Sequence, residues 1–275
     1  MHESDPGIES LRQTQAAAFL ELAVRSALDA HRDVPGSWRE NRTLDEVLND
    51  LPTYQGDTLT TVMRALRPER RTVLDLGSGD NAVALSQLVE SFDGSIRGAG
   101  VTLPLDRADA SHPSNVAVIR EDVNEFLRGL ANQPDEARPS IMYSVKMFRW
   151  LADPLGTLQL AYNALSHGGY LFIDEIYNEQ MPLVSSSGQP VDPRNLEATL
   201  HDAGYDVTFG ITEGTCGGMI QAYSVVMRKN GQATLTLPVR LVDMTQLGIQ
   251  VDSNQHWDTP FENLGYPTRL LYMLG

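Results

Sequence analysis

A glycine turn with an acid beside it is the strongest chemical signal in the sequence. The turn lies in TVLDLGSGDNAVALSQ, where Gly77, Gly79 and Ala82 fit the dinucleotide fingerprint G-x-G-x-x-[GA]. Asp75 precedes Gly77 by two residues, and its carboxylate would oppose a pyrophosphate but would suit a cation. The stretch therefore favours a positively charged ligand over a dinucleotide.

Strands and helices alternate on both sides of this turn. Residues 71–77 form a short apolar run typical of a buried strand, and the apolar residues from Leu85 to Phe92 recur at helical spacing. Such alternation predicts an α/β fold with a doubly wound, mostly parallel sheet that binds ligands beyond the carboxyl ends of its strands. The other predicted strands are SIRGAGVTL, NVAVIRED, PSIMYSVKM, YLFIDEI, YDVTFGIT and IQAYSVVMRK, the last two forming an antiparallel hairpin.

Three regions are predicted along the chain. Residues 1–69 form a helical N-terminal extension, with helices at 8–31, after the capping-box pair Thr43 and Glu46, and after Asp57 or Thr58. We expect this extension to be a lid over a site or a packing or dimer element. Residues 70–230 form the ligand-binding core. Residues 231–275 form a tail that packs against the core, and the Ser-, Pro- and Gly-rich segment 182–193 is a loop.

Composition and charge exclude several classes of protein. The 275 residues include 36 acidic and 21 basic side chains, a net charge of -15, which disfavours nucleic acid as a partner. The run RALRPERR at 64–71 is expected to be a solvated helix end that leads into a strand. No apolar stretch approaches the roughly 20 residues of a membrane span, and a single cysteine, Cys216, allows no internal disulfide. We expect a cytoplasmic protein without membrane contact.

The segment VLDLGSGDN resembles the first motif of class I S-adenosylmethionine-dependent methyltransferases. The resemblance extends from about 71 to 229 and includes VIREDVNEFL, the segment from IMYSVKMF to HGGYLFIDE, and the closing hairpin. It implies a seven-stranded Rossmann-like methyltransferase fold with an antiparallel last strand, and S-adenosyl-L-methionine as cofactor. The cofactor-binding residues that it implies are Asp75, Gly77, Ser78, Gly79, Asn81, Thr102, Leu103, Asp122, Val123, Ser144 and Val145.

Two positions depart from the family's pattern. Asn81 stands where a third glycine is usual, although asparagine tolerates left-handed conformations. The second strand ends in Thr102 and Leu103 where the family has an acid for the ribose hydroxyls, so Asp106 or Thr102 would take that task. The alternative is a catalytically silent relative that acts as a binding or interaction module. An NAD-dependent oxidoreductase is a third interpretation, disfavoured by Asp75 and the terminal hairpin.

The methyl acceptor is expected to be a small molecule, methylated on oxygen or nitrogen. The asparagine-proline-proline-aromatic signature of nucleic-acid amino methylation is absent, and YSVK occupies its place. No metal-binding set is evident. A general base remains unassigned, with Glu175, Tyr177 and His112 as its candidates.

Overall fold

The computed structural model describes most of the chain between residues 42 and 241. The described ranges are 42–79, 81–93, 95–102, 112–148, 151, 154–178, 183–185, 190–191, 193–212, 222–231, 234–237 and 239–241. The predicted helix at 8–31 and most of the predicted tail lie outside these ranges. The division into extension, core and tail stays a prediction.

A seven-stranded sheet forms the centre of the molecule. Its strands are β1 (Thr72–Leu76), β2 (Arg97–Thr102), β3 (Val116–Arg120), β4 (Ile141–Ser144), β5 (Tyr170–Asn178), β8 (Asp206–Thr212) and β9 (Ala222–Arg228). They lie in the order β3-β2-β1-β4-β5-β9-β8 across the sheet. Strands β1 to β5 are parallel, whereas β9 runs antiparallel to both β5 and β8. The predicted doubly wound sheet with a reversed last strand is therefore confirmed.

Helices connect the strands and cover both faces of this sheet. They are α1 (Leu44–Asp50), α2 (Leu59–Ala65), α3 (Val83–Glu90), α4 (Val123–Ala131), α5 (Pro154–Ala164) and α6 (Pro193–Asp202), with short 3-10 turns at Pro68–Arg70 and Asp135–Ala137. One hydrophobic cluster packs α1, α2 and α3 on one face of the sheet. A second packs α4, α5 and α6 on the other.

A second sheet of three short strands was not expected. It consists of β6 (Leu183–Ser185), β7 (Pro190–Val191) and β10 (Val239–Leu241), in the order β10-β6-β7. The prediction of a loop at 182–193 was wrong in this respect. Strands of two or three residues are too short to show an alternating pattern, so composition alone favoured a loop.

The helices α1 and α2 begin at side-chain caps and pack on the sheet. Thr43 and Glu46 form the predicted capping box of α1, and Thr58 caps α2. Val47, Leu59 and Met63 are buried in the cluster that includes α3 and the sheet. These helices therefore bury their apolar faces in the cluster on this face of the sheet, where α1 packs beside α3.

Tyr54, in the turn between α1 and α2, fastens this segment to the far edge of the sheet. Its hydroxyl donates a hydrogen bond to Asp206 Oδ2 at 2.6 Å. Its ring meets Tyr170 edge-on with centroids 5.1 Å apart, and the Arg228 guanidinium lies over the Tyr170 ring at 5.5 Å. Burial, followed by the bond to Asp206, raises the pKa of Tyr54 to about 12, so the hydroxyl stays a donor at neutral pH.

The arginine side chains of the run at 64–71 donate hydrogen bonds mainly to backbone carbonyls of the same chain. Arg71 donates to the carbonyls of Leu66 and Arg64, which end α2. Arg70 donates to the His167 carbonyl and the Ser166 hydroxyl. These bonds hold the turn before β1 and occupy guanidinium donors that a phosphate would otherwise need.

The buried side chain of Lys229 caps the carboxyl end of α5. Its ammonium donates to the carbonyls of Asn163 and Leu165, both at 2.9 Å. Desolvation lowers the pKa of Lys229 to about 8. The lysine thus satisfies two helix-end carbonyls that have no intrahelical partner.

Replacement of Lys229 by methionine should destabilise the protein. The variant keeps the length of the side chain but removes the lysine's bonds to both carbonyls; the Asn163 carbonyl keeps a bond from Arg138 Nη1, whereas the Leu165 carbonyl loses its lysine donor, at a cost of about 1–3 kcal/mol. Urea unfolding at pH 7 measures this loss, with Arg128→Met, at an exposed position on α4, as the matched control. Equal stability of the Lys229 and Arg128 variants would contradict the capping role.

The same variant tests the pKa of Lys229. The folded protein binds fewer protons than the unfolded chain between pH 8 and the ordinary lysine pKa, so this group's contribution to stability rises across that interval. Stability measured against pH should therefore show a component between pH 8 and 10 that Lys229→Met removes.

Candidate active site

The glycine turn follows β1 and has a left-handed backbone at three positions. Gly77 has a φ of +88°, Gly79 of +67° and Ala82 of +42°. Glycine reaches this region without strain, whereas Ala82 is strained there and precedes α3 without a side-chain cap. The turn therefore reverses the chain sharply at the carboxyl end of β1, as the sequence predicted.

The first amides of the turn are bonded to the neighbouring strand. The backbone N–H groups of Gly77 and Ser78 donate to the Val101 carbonyl on β2 at 2.9 and 3.1 Å. Ser78 also packs against Gly100, where a Cβ would lie 2.4 Å from the serine hydroxyl oxygen. The turn is thus fixed to β2, and these two amides are committed within the protein.

The two glycines of the turn face different surroundings. A Cβ on Gly77 would lie 2.8 Å from Met147 Cβ and 3.0 Å from its sulfur, so Met147 packs directly on this glycine. A Cβ on Gly79 would meet no atom of the described residues within 4 Å. Gly79 therefore borders space that the described part of the chain leaves open, where a ligand can approach the backbone.

Asp75 is buried below the turn and is paired with a tyrosine of the adjacent strand. It lies on β1 in register with Tyr143 on β4, and only 6% of its surface is exposed. The Tyr143 hydroxyl donates to Asp75 Oδ2 at 2.8 Å. Both residues adjoin the face that α1, α2 and α3 cover.

Burial changes the protonation of this pair. It raises the pKa of Asp75 to about 7, while the hydrogen bond from Tyr143 acts in the opposite direction. Burial, together with the charge of Asp75, raises the pKa of Tyr143 well above its usual value. Tyr143 therefore remains a donor, and Asp75 changes charge near neutral pH.

Three residues predicted to bind the cofactor lie at the adjacent ends of β2 and β3. Thr102 ends β2 and pairs with Arg120, and its carbonyl accepts from the Glu121 amide at 3.1 Å. Asp122 is exposed and caps α4, with Oδ1 accepting from two backbone amides of the first turn. Val123 is buried. The predicted residue Leu103 and the alternative Asp106 lie outside the described residues.

At the end of β4, Ser144 has a structural bond. It is fully buried, and its hydroxyl donates to the Leu76 carbonyl at 2.8 Å, which joins β4 to the last residue of β1. The half-buried Val145 follows it. Asn81, also half-buried, lies on the far side of the turn between Gly79 and α3.

The candidates for a general base lie on two separate segments, the end of β5 and the segment before β3. The pairing of β5 with β9 shifts register between Ile173 and Tyr177, an irregularity that re-aims side chains at many active sites. The side chains of Glu175 and Tyr177 lie outside the described residues. His112 is half-buried before β3. Among the side chains that the structure describes, no group of three or more His, Cys, Asp or Glu residues could hold a metal ion.

Three solved structures show what the chain is similar to. The CurJ carbon methyltransferase is 11% identical, with a TM-score of 0.38, over 63% of this chain and 52% of its own. Cofactor-bound Rv0187 from MTB is 13% identical, with a TM-score of 0.43, over 84% and 100%. A Haemonchus contortus phosphoethanolamine N-methyltransferase 2, in complex with phosphomonomethylethanolamine and S-adenosylhomocysteine, is 13% identical, with a TM-score of 0.44, over 63% and 52%.

The chain spans about half the length of the first and third of these proteins. No protein-family model and no curated protein matches the sequence.

The order of the seven strands, with β9 reversed beside β5, decides the architecture. The chain has the Rossmann-like methyltransferase fold. In the described part of this fold, no helix has the length and apolar character to span a membrane.

Within this methyltransferase fold, two residues beside the turn could not be predicted from the sequence. Tyr143 lies in the predicted strand PSIMYSVKM, but its bond to Asp75 joins residues 68 apart and leaves no local signal. Met147 carried no signal, because its contact with Gly77 joins segments 70 residues apart. Both depend on tertiary packing.

Alanine substitutions at Gly77 and Gly79 should lower the free energy of unfolding by different amounts. Gly79→Ala places a methyl group in open space and loses about 1–2 kcal/mol for the left-handed backbone. Gly77→Ala carries the same strain and also collides with Met147, which adds about 1–3 kcal/mol of overpacking. Chemical unfolding of both variants measures the difference. Equal losses would show that Met147 does not pack on Gly77.

Proposed function

We propose that this protein is an S-adenosylmethionine-dependent methyltransferase that acts on an oxygen or nitrogen of a small-molecule acceptor. The observation that carries the proposal is the buried Asp75 carboxyl, which lies near the end of β1, two residues before Gly77. The cofactor supplies an activated methyl group on a sulfonium centre. The protein's task is to bind it, exclude water and align the acceptor.

The residues at the turn fit such a cofactor. S-adenosylmethionine carries an amino group and a sulfonium centre, and a carboxylate in a dry site attracts cations strongly. Asp75 would hold the positively charged end, and the open space at Gly79 would admit the ligand against the backbone. Asp122 would accept from the adenine amino group, since Oδ2 takes no part in its capping bonds.

A dinucleotide fits this turn less well. Dinucleotide sites present backbone amides of the first turn to a pyrophosphate. Here the amides of Gly77 and Ser78 are bonded to the Val101 carbonyl, and Asp75 would repel the phosphates. The same arrangement disfavours an NAD-dependent oxidoreductase.

The ribose and the acceptor would be bound with residues that differ from the usual pattern. Thr102 ends β2 where an acid is common, so its hydroxyl would bind one ribose oxygen in place of a carboxylate. The acceptor would lie at the carboxyl end of β5, where the ladder is irregular and the candidate bases Glu175 and Tyr177 are located. His112 remains the third candidate.

Calorimetric titration tests the proposal directly. S-adenosylmethionine and S-adenosylhomocysteine should bind with one site per chain, and NADH should not bind. Asp75→Asn, which keeps an acceptor for Tyr143, should bind the cofactor at least tenfold more weakly, the equivalent of about 1.4 kcal/mol. Absence of binding at millimolar cofactor would refute the enzyme proposal and favour a silent interaction module. Binding of NADH would favour an oxidoreductase.

The affinity for S-adenosylmethionine should also depend on pH through Asp75. The acid is protonated below a pKa of about 7 in the free protein, so binding of a cation at lower pH must displace a proton. The dissociation constant should rise about tenfold per unit below pH 7 and level off above it. Asp75→Asn should abolish this slope, whereas Tyr143→Phe should move the inflection to higher pH. A slope that persists in Asp75→Asn would assign the proton to another group.

A further inference from the structure

We infer that Lys146 is a positioning residue for the glycine turn, through its ion pair with Asp50 at the end of α1. The inference rests on the proposed function and extends it to the N-terminal helices. Lys146 lies in the loop after β4, residues 145–148, whose Met147 packs against Gly77. The ion pair thus ties α1 to the glycine turn through one loop.

The backbone of Lys146 is the first sign of a special role. Its φ is +59°, in the left-handed region where a side chain is strained. Among the residues that the structure describes, three other non-glycine residues share a positive φ, namely Gln55, Ala82 and Asp93. Ala82 ends the glycine turn, and Lys146 is the chain neighbour of Met147, which packs on Gly77. Strain of this kind is retained where the surroundings fix a conformation that the local sequence opposes.

The side chain of Lys146 reaches the end of α1. Its ammonium lies 3.5 Å from Asp50 Oδ2, the same oxygen that Arg42 contacts. The side chains are 40% and 29% exposed, and a pair with such exposure contributes little to folding stability. The pair is too weak to impose the strained backbone by itself, so its role in the inference is to bias the position of a loop that buried neighbours hold.

The loop has fixed points on either side of Lys146. Ser144 is bonded to the Leu76 carbonyl, and Phe148 is fully buried. Between them, Met147 contacts Gly77 so closely that a methyl group would not fit. Met147 adjoins Lys146 in this short segment, so we expect loss of the ion pair to shift Met147 slightly and to change its packing on Gly77.

Replacement of Lys146 by glycine distinguishes the effect of backbone strain from the effect of the ion pair. Lys146→Gly relieves the backbone and removes the ammonium, so the melting temperature should stay the same or rise. Its affinity for S-adenosylmethionine should nevertheless fall about fivefold, the size expected for loss of one partly exposed contact. Lys146→Arg, which retains the charge, should bind as the original protein does. Gln55→Gly relieves the same kind of strain at an exposed turn and serves as the matched control, with unchanged affinity.

Asp50→Asn supplies the second half of the test. It should reproduce the loss seen in Lys146→Gly, and the double variant should lose no more than either single one. Equal affinity in Lys146→Gly and the original protein would overturn the inference. Additive losses in the double variant would also overturn it.

A readout without cofactor keeps this inference distinct from the proposed function. With glycine-selective ¹⁵N labelling, the amide resonance of Gly77 in the free protein should shift in Lys146→Gly and in Asp50→Asn, but not in Gln55→Gly. An unshifted Gly77 resonance would refute the positioning role. If the original protein binds no S-adenosylmethionine, the proposed function fails and this spectrum alone decides the role of Lys146.

Discussion

The hydrogen bond from Tyr143 to Asp75 is the constraint on which the site depends. It joins the two central strands at a buried acid that has no basic partner among the described residues, and loss of solvent raises the pKa of Asp75 to about 7. An arrangement of this kind disfavours the charged acid in the free protein. A cation bound at the glycine turn would stabilise the charged form of Asp75, and under the proposed function this difference would supply the selectivity for a positively charged cofactor.

The parts around this pair are arranged to hold it. On one side, the amides of Gly77 and Ser78 extend the β1–β2 ladder to the Val101 carbonyl, which keeps the turn above Asp75. On the other, the loop after β4 packs Met147 on Gly77. The helices α1 and α2 pack on the same face of the sheet and reach the loop through Asp50. The N-terminal helices and the turn are therefore connected by direct contacts.

Much of this fold could be predicted from the sequence, because the signals for it are local. Apolar runs between glycines indicate the seven strands, and the Thr43 capping box marks the start of α1. Contacts between distant segments leave no such signal. The pairing of Tyr143 with Asp75 and the bond from Ser144 to Leu76 each join residues 68 apart, so neither could be read from spacing. Ser144 donates its hydroxyl to that bond, and its place near the cofactor stays a prediction.

The most direct test of the account is the protonation of Asp75 itself. The ¹³C resonance of its side-chain carboxyl, followed by NMR against pH, reports the charge of this one group with and without S-adenosylmethionine. The account predicts an apparent pKa of about 7 in the free protein, and a fall of more than one unit when the cofactor is saturating. An apparent pKa that the cofactor leaves unchanged would contradict the claim that Asp75 binds its positive charge.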